Sequence, residues 1–67
     1  MTKEFELLMK YKKLTRDVRA IEDKLLELFA HPQVSDADML EWRERYRELR
    51  RVHRAVVQRL RQKGVPV

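Results

Sequence analysis

The chain has no cysteine. Disulfides, iron–sulfur clusters, thiol nucleophiles and cysteine-based zinc sites are therefore excluded together, and the redox compartment stays open, although a reducing cytoplasm suits such a chain. Ordering costs about 1.5 kcal/mol per residue. For a chain of 67 residues, that leaves a metal, a partner or very regular helix packing to stabilise a fold. Glycine occurs once and proline twice, so no linker or low-complexity tract divides the chain. Long apolar runs are also missing. The longest stretch without a formal charge, Leu28 to Ser35, is eight residues, too short to span a bilayer or to form the apolar core of a secretory signal. We therefore expect a single soluble, cytoplasmic domain with no membrane contact.

What the sequence does have is charge and helical periodicity. Charged residues make up 40% of the chain and the net charge is +5. From Lys3 to His31 neither Gly nor Pro interrupts the sequence, with Thr2 as a candidate N-cap and Pro32 as a stop. Leu7, Tyr11, Leu14, Val18, Ile21, Leu25 and Leu28 step by alternating fours and threes, the heptad seam of one helix over about residues 3–30. A turn over 31–35 follows. Ser35-Asp36-Ala37-Asp38 has the spacing of a capping box, and Val34 and Met39 that of a hydrophobic staple. The seam resumes as Met39, Trp42, Tyr46, Leu49, His53, Val56 and Leu60 until Gly64 and Pro66 end a helix over about 36–63. So short a turn makes an antiparallel helical hairpin the economical fold.

Antiparallel pairing places residues whose numbers sum to roughly 67 opposite one another, for instance Leu25 with Trp42 and Leu14 with His53. The outer flank of the seam, Leu8, Leu26, Phe29, Leu40, Val52 and Val57, stays uncovered, and we expect a homodimer that closes a four-helix bundle over it.

Catalytic and metal chemistry have little to work with. His31 and His53 lie some 25 to 30 Å apart along the hairpin at 1.5 Å per residue, so one chain cannot bring them to one metal. His53 is expected to pack its ring in the seam, with a nitrogen meeting water or a nearby side chain. Residues 14–28 are similar to the first helix of the all-helical chorismate mutases. That family, however, spaces its arginine and its isoleucine–acid pairs differently and needs a third helix. We expect no enzyme, no catalytic residues, no metal and no cofactor.

The basic charge is unevenly spread. Residues 1–31 carry seven basic and six acidic groups, residues 32–67 nine and five, and no acid follows Glu48. Arg47, Arg51, Arg54 and Arg61 form a stripe on helix 2 that suits phosphate, which makes RNA or DNA binding one reading. A solvated face that complements the helix C-terminal dipole gives the same pattern. Against nucleic acid, Tyr11, Trp42 and Tyr46 fall on the seam rather than among the arginines. The preferred reading is protein binding: Trp42, Arg43, Tyr46 and Arg47, with Arg50 one turn on, cluster near the hairpin tip, and Trp, Tyr and Arg are the types enriched at interface hot spots.

A capped hairpin of this length that dimerises, with Trp42-Arg43 opening an arginine-rich second helix and Arg16 on the first, resembles the small phage-encoded anti-activators of bacterial quorum sensing. That resemblance implies a protein of the host cytoplasm that binds and inhibits a LuxR-type transcriptional regulator, and a pilus assembly ATPase as a further partner. It also implies that Arg16, Trp42 and Arg43 take part in binding.

Overall fold

The computed structural model describes residues 3–31 and 33–67. It consists of two α-helices, α1 (Lys3–Ala30) and α2 (Asp36–Gln62), packed against each other in a body of 47 × 18 × 14 Å. The described residues form no strand, and no described helix is long and apolar enough to cross a membrane. Thr2 as N-cap and Pro32 as helix stop lie outside the described residues.

The local signals at both ends of α2 take effect. Ser35 is extended (φ −70°, ψ 151°) and its Oγ accepts from the backbone N–H of Asp38 at 3.2 Å, the serine half of the capping box. At the far end Lys63 is the cap residue and Gly64 takes φ +83°, the left-handed conformation that glycine adopts without penalty. The N–H of Val65 donates to Leu60 O and that of Gly64 to Arg61 O, both at 3.0 Å, which is the Schellman arrangement. The turn also reverses the chain: Val65 and Val67 come back to pack on Leu14, Val56 and Leu60.

The core sits at the open end of the hairpin. Leu14, Val18, Val56 and Leu60 are buried, Leu60 completely, and Leu7, Tyr11, Leu49 and Val52 pack around the cluster of Leu14, Val56 and Leu60. None of the described residues from 19 to 55 is buried. Near the tip the seam positions Ile21, Leu25, Leu28, Met39, Trp42 and Tyr46 are only half-buried. The heptad pattern marks which side of each helix faces the other, but two helices alone leave that side open along both flanks. Where Val65 and Val67 cover a flank, the core closes.

Register follows the expected pairing. Lys24 sits over the Trp42 ring at 5.8 Å and Thr15 meets His53 at 2.9 Å, pairs whose numbers sum to 66 and 68. The flank residues, however, do not form one surface. Phe29 lines a groove on one side of the hairpin, whereas Val52 lines hollows with Ile21, Leu49 and Ala55 that share no apolar residue with that groove. Phe29, Leu26 and Leu40 are 70%, 69% and 60% exposed, and Phe5 and Met9 are about half exposed.

Candidate functional site

Helix geometry sorts the arginines of α2 onto two flanks. Arg43, Arg47, Arg50 and Arg54 step by 4, 3 and 4, so they share one face. That face meets α1 at a groove of about 640 Å³, with Leu25, Phe29 and Tyr46 as its apolar floor and the four arginines, joined by Arg51, as its wall. An adjoining hollow of about 490 Å³ shares Arg50 and Arg54 and continues past His53 and Val57 to Arg61 and Val67. No Asp or Glu side chain lines either.

The opposite flank has another character. Ile21, Leu49 and Val52 floor a hollow edged by Glu41, Glu44, Glu48 and Arg45. Farther toward the open end, this flank carries Lys10, Arg51 and Arg59. Three glutamates and Arg45 therefore lie toward its tip, and Lys10, Arg51 and Arg59 toward its open end, where Glu6 adjoins Lys10 and Arg59.

Both ion pairs of α2 use glutamates of that second flank. Arg45 Nη2 donates to Glu41 Oε1 at 2.8 Å and Arg51 Nη2 to Glu48 Oε1 at 2.7 Å, each within one helical turn and exposed, so each contributes only a few tenths of a kcal/mol. Among the described residues Arg43, Arg47, Arg50 and Arg54 have no carboxylate within 4.0 Å. Arg50 stands over the Tyr46 ring, 5.8 Å from its centroid. Arg61 is engaged otherwise, its Nε and Nη2 donating to Val67 O at 3.3 and 3.2 Å.

The structure thus divides the residues that the sequence grouped. Arg43, Tyr46, Arg47 and Arg50 line one groove. Trp42 does not join them: it is half-buried, with Lys24 at 5.8 Å and Arg45 at 5.0 Å over its ring. The physical reason is the 100° turn between consecutive residues, which sends neighbours in sequence to different sides of the helix. Arg16 is exposed and stands nine residues before Leu25 on α1, about 13 Å along the axis at 1.5 Å per residue, outside the groove. Of the phosphate stripe, Arg47 and Arg54 face the groove unpaired, while Arg51 is paired with Glu48 and Arg61 with Val67 O.

Sequence reasoning missed the floor and a polar bridge. By heptad position Leu25 belongs to the seam and Phe29 to its outer flank, and their spacing of four, one helical step on the same face, is the signal that joins them. The bridge is made by Thr15. Its hydroxyl donates to Tyr11 O at 2.9 Å, which leaves the oxygen to accept from Nε2–H of His53 at 2.9 Å. The His53 ring stacks on Tyr11 with centroids 5.4 Å apart. Nε2 of His53 is thereby partnered within the seam. Among the described residues no three His, Asp or Glu side chains gather to hold a metal.

Chemically the groove offers unpaired guanidinium groups suited to bidentate contact with carboxylates above an apolar floor, and it contains no acid. No family model, no curated protein and no solved structure matches the chain.

Proposed function

We propose that the chain is a small non-enzymatic module that binds a partner protein and regulates it by contact. The observation that carries this reading is the groove itself: Leu25, Phe29 and Tyr46 under five arginines, of which Arg43, Arg47, Arg50 and Arg54 have no carboxylate within 4.0 Å among the described residues. Tyr and Arg beside an apolar pocket are the usual composition of an interface hot spot. Phosphate binding is the weaker reading. Two of its four arginines already have partners, and the groove that takes the others has an apolar floor in place of a base-stacking platform.

The working unit is proposed to be a homodimer with four helices. A compact monomer of 8.2 kDa exposes about 4,500 Å², whereas this hairpin exposes 5784 Å². The excess is on the scale of one partner's share of a stable interface. The flank of Ile21, Leu49 and Val52 is the face that suits a second copy, because Glu41, Glu44 and Glu48 lie toward its tip and Lys10, Arg51 and Arg59 toward its open end. Under an antiparallel twofold each acidic half meets the other copy's basic half. The arginine groove then stays free.

The likeness in architecture to phage anti-activators extends the proposal to a partner class, a LuxR-type transcriptional regulator with a pilus assembly ATPase second, in the host cytoplasm. Its support is a hairpin in which Trp42-Arg43 opens an arginine-rich second helix. Affinity capture from lysate with and without nuclease tests the module reading. A single stoichiometric protein, recovered in both conditions and lost with Tyr46→Ala, is the expected result. Recovery that nuclease abolishes overturns it.

A further inference from the structure

Resting on the reading that the groove binds protein, we propose that its occupant is an acidic amphipathic helix. This helix lies along α2 with its apolar stripe on Leu25, Phe29 and Tyr46 and its carboxylates against the arginines. Length is the first argument. From Arg43 to Arg61 the groove and its adjoining hollow follow 18 residues of α2, about 27 Å at 1.5 Å per residue or five helical turns. Periodicity is the second. Steps of 4, 3, 4 and 7 between Arg43, Arg47, Arg50, Arg54 and Arg61 repeat one helix face, so carboxylates at the same spacing on a facing helix meet several arginines in a single register.

Charge supplies the third argument and decides between occupants. Arg43, Arg47, Arg50 and Arg54 have no carboxylate within 4.0 Å among the described residues, while Arg45 and Arg51, which reach the opposite flank, are paired at 2.8 and 2.7 Å. A second copy of the chain answers that demand only in part. Its second helix has no acid after Glu48, and its Glu41, Glu44 and Glu48 lie on the other flank, where Glu41 and Glu48 are already paired with Arg45 and Arg51. A partner helix rich in Asp and Glu does answer it. The fourth argument is the floor: Phe29 is 70% exposed in the hairpin, and an occupant with leucines at i, i+3, i+4 and i+7 covers it.

The test uses the full chain and four probes: a fluorescently labelled helical 18-mer with a leucine stripe flanked by Glu, a scramble of the same composition, the same stripe flanked by Lys, and a single-stranded RNA 18-mer. The expected result is that the Glu-flanked helix binds at least about 10-fold more tightly than the scramble or the Lys-flanked helix, as charge complementarity at several contacts requires. Arg47→Glu with Arg50→Glu, and separately Phe29→Ser, should each weaken that binding about 10-fold, while Arg19→Glu with Lys12→Glu, the same charge change outside the groove, should alter it less than about 2-fold. Circular dichroism establishes that each variant keeps its helices, and Phe29→Ser, at an exposed position, keeps the test decisive should the arginine pair affect folding.

Failure of the proposal and failure of the reading beneath it are distinguishable. If the Lys-flanked helix or the scramble binds as well as the Glu-flanked one and shifts amide resonances at Leu25 and Tyr46, the acidic occupant is wrong and the protein-binding groove survives. If only the RNA shifts them, both are overturned.

Discussion

The hydroxyl of Thr15 bridges the two helices to Nε2 of His53 at 2.9 Å while donating its own proton to Tyr11 O. This polar contact lies within a mostly apolar seam and gives Nε2 of the seam histidine a partner. Thr15→Val keeps the side-chain volume and removes the acceptor. We expect a loss of about 1 kcal/mol, the net value of a part-buried hydrogen bond plus the unpaired imidazole N–H. Adding His53→Leu should recover most of it, because no polar group is then left unpaired. Urea unfolding of the two single variants and the double variant measures the coupling. Additive losses would show that the bridge contributes nothing.

Leu60 is fully buried and Leu14 nearly so, whereas Leu25 is half-buried at the edge of the groove. Leu60→Ala and Leu14→Ala should each cost roughly 2 to 5 kcal/mol, as large-to-small changes in a closed core do. Leu25→Ala should cost about half as much or less, since part of its surface already meets solvent. Thermal denaturation followed at 222 nm ranks the three. Equal losses would mean that the tip is as closed as the open end.

The seam, the Ser35 cap and the Gly64 stop were all legible in the sequence, because each is a local rule: heptad spacing, an oxygen placed three residues before an amide, and a glycine where φ must be positive. The flanks were not. Trp42 and Arg43 are adjacent in sequence and equally plausible as binding residues, yet one full helical step of 100° puts Arg43 in the groove wall and Trp42 under Lys24 and Arg45. The side on which α1 leaves room depends on how the two helices rotate about their shared seam. That is a property of the pair, and no single heptad encodes it. The burial of Leu60 by Val65 and Val67 is similar, since it depends on where the chain goes after the Schellman turn.

The dimer face has its own signature. If the flank of Ile21, Leu49 and Val52 seats the second copy, Val52→Arg places a cation on its apolar floor and should return the protein from about twice 8.2 kDa to a monomer. Phe29→Ser, on the other side of the hairpin, should leave the dimer intact. Light scattering at low micromolar concentration reads both. Raising the salt should weaken the dimer, because its acidic and basic halves attract across exposed surfaces. A dimer dissociated by Phe29→Ser and kept by Val52→Arg would move the interface to the arginine groove and leave no free site there.

Trp42 and Tyr46 stand four residues apart on α2, and their neighbours predict opposite behaviour. Tyr46 floors the groove under Arg50, so Tyr46→Ala should cost a bound partner on the order of 2 kcal/mol or more, seen as a loss of affinity with the helices retained. Trp42 packs in the seam with cations at 5.0 and 5.8 Å from its ring. Trp42→Phe keeps an aromatic face for them and should lower stability by about 1 kcal/mol while changing partner affinity less than 2-fold, since a cation–π contact at a part-exposed site contributes about 0.5 to 1 kcal/mol. Chemical unfolding and a binding titration on the same samples separate the two effects. If Trp42→Phe abolished binding and Tyr46→Ala spared it, the working surface would be the acidic flank and the groove would be a solvated face.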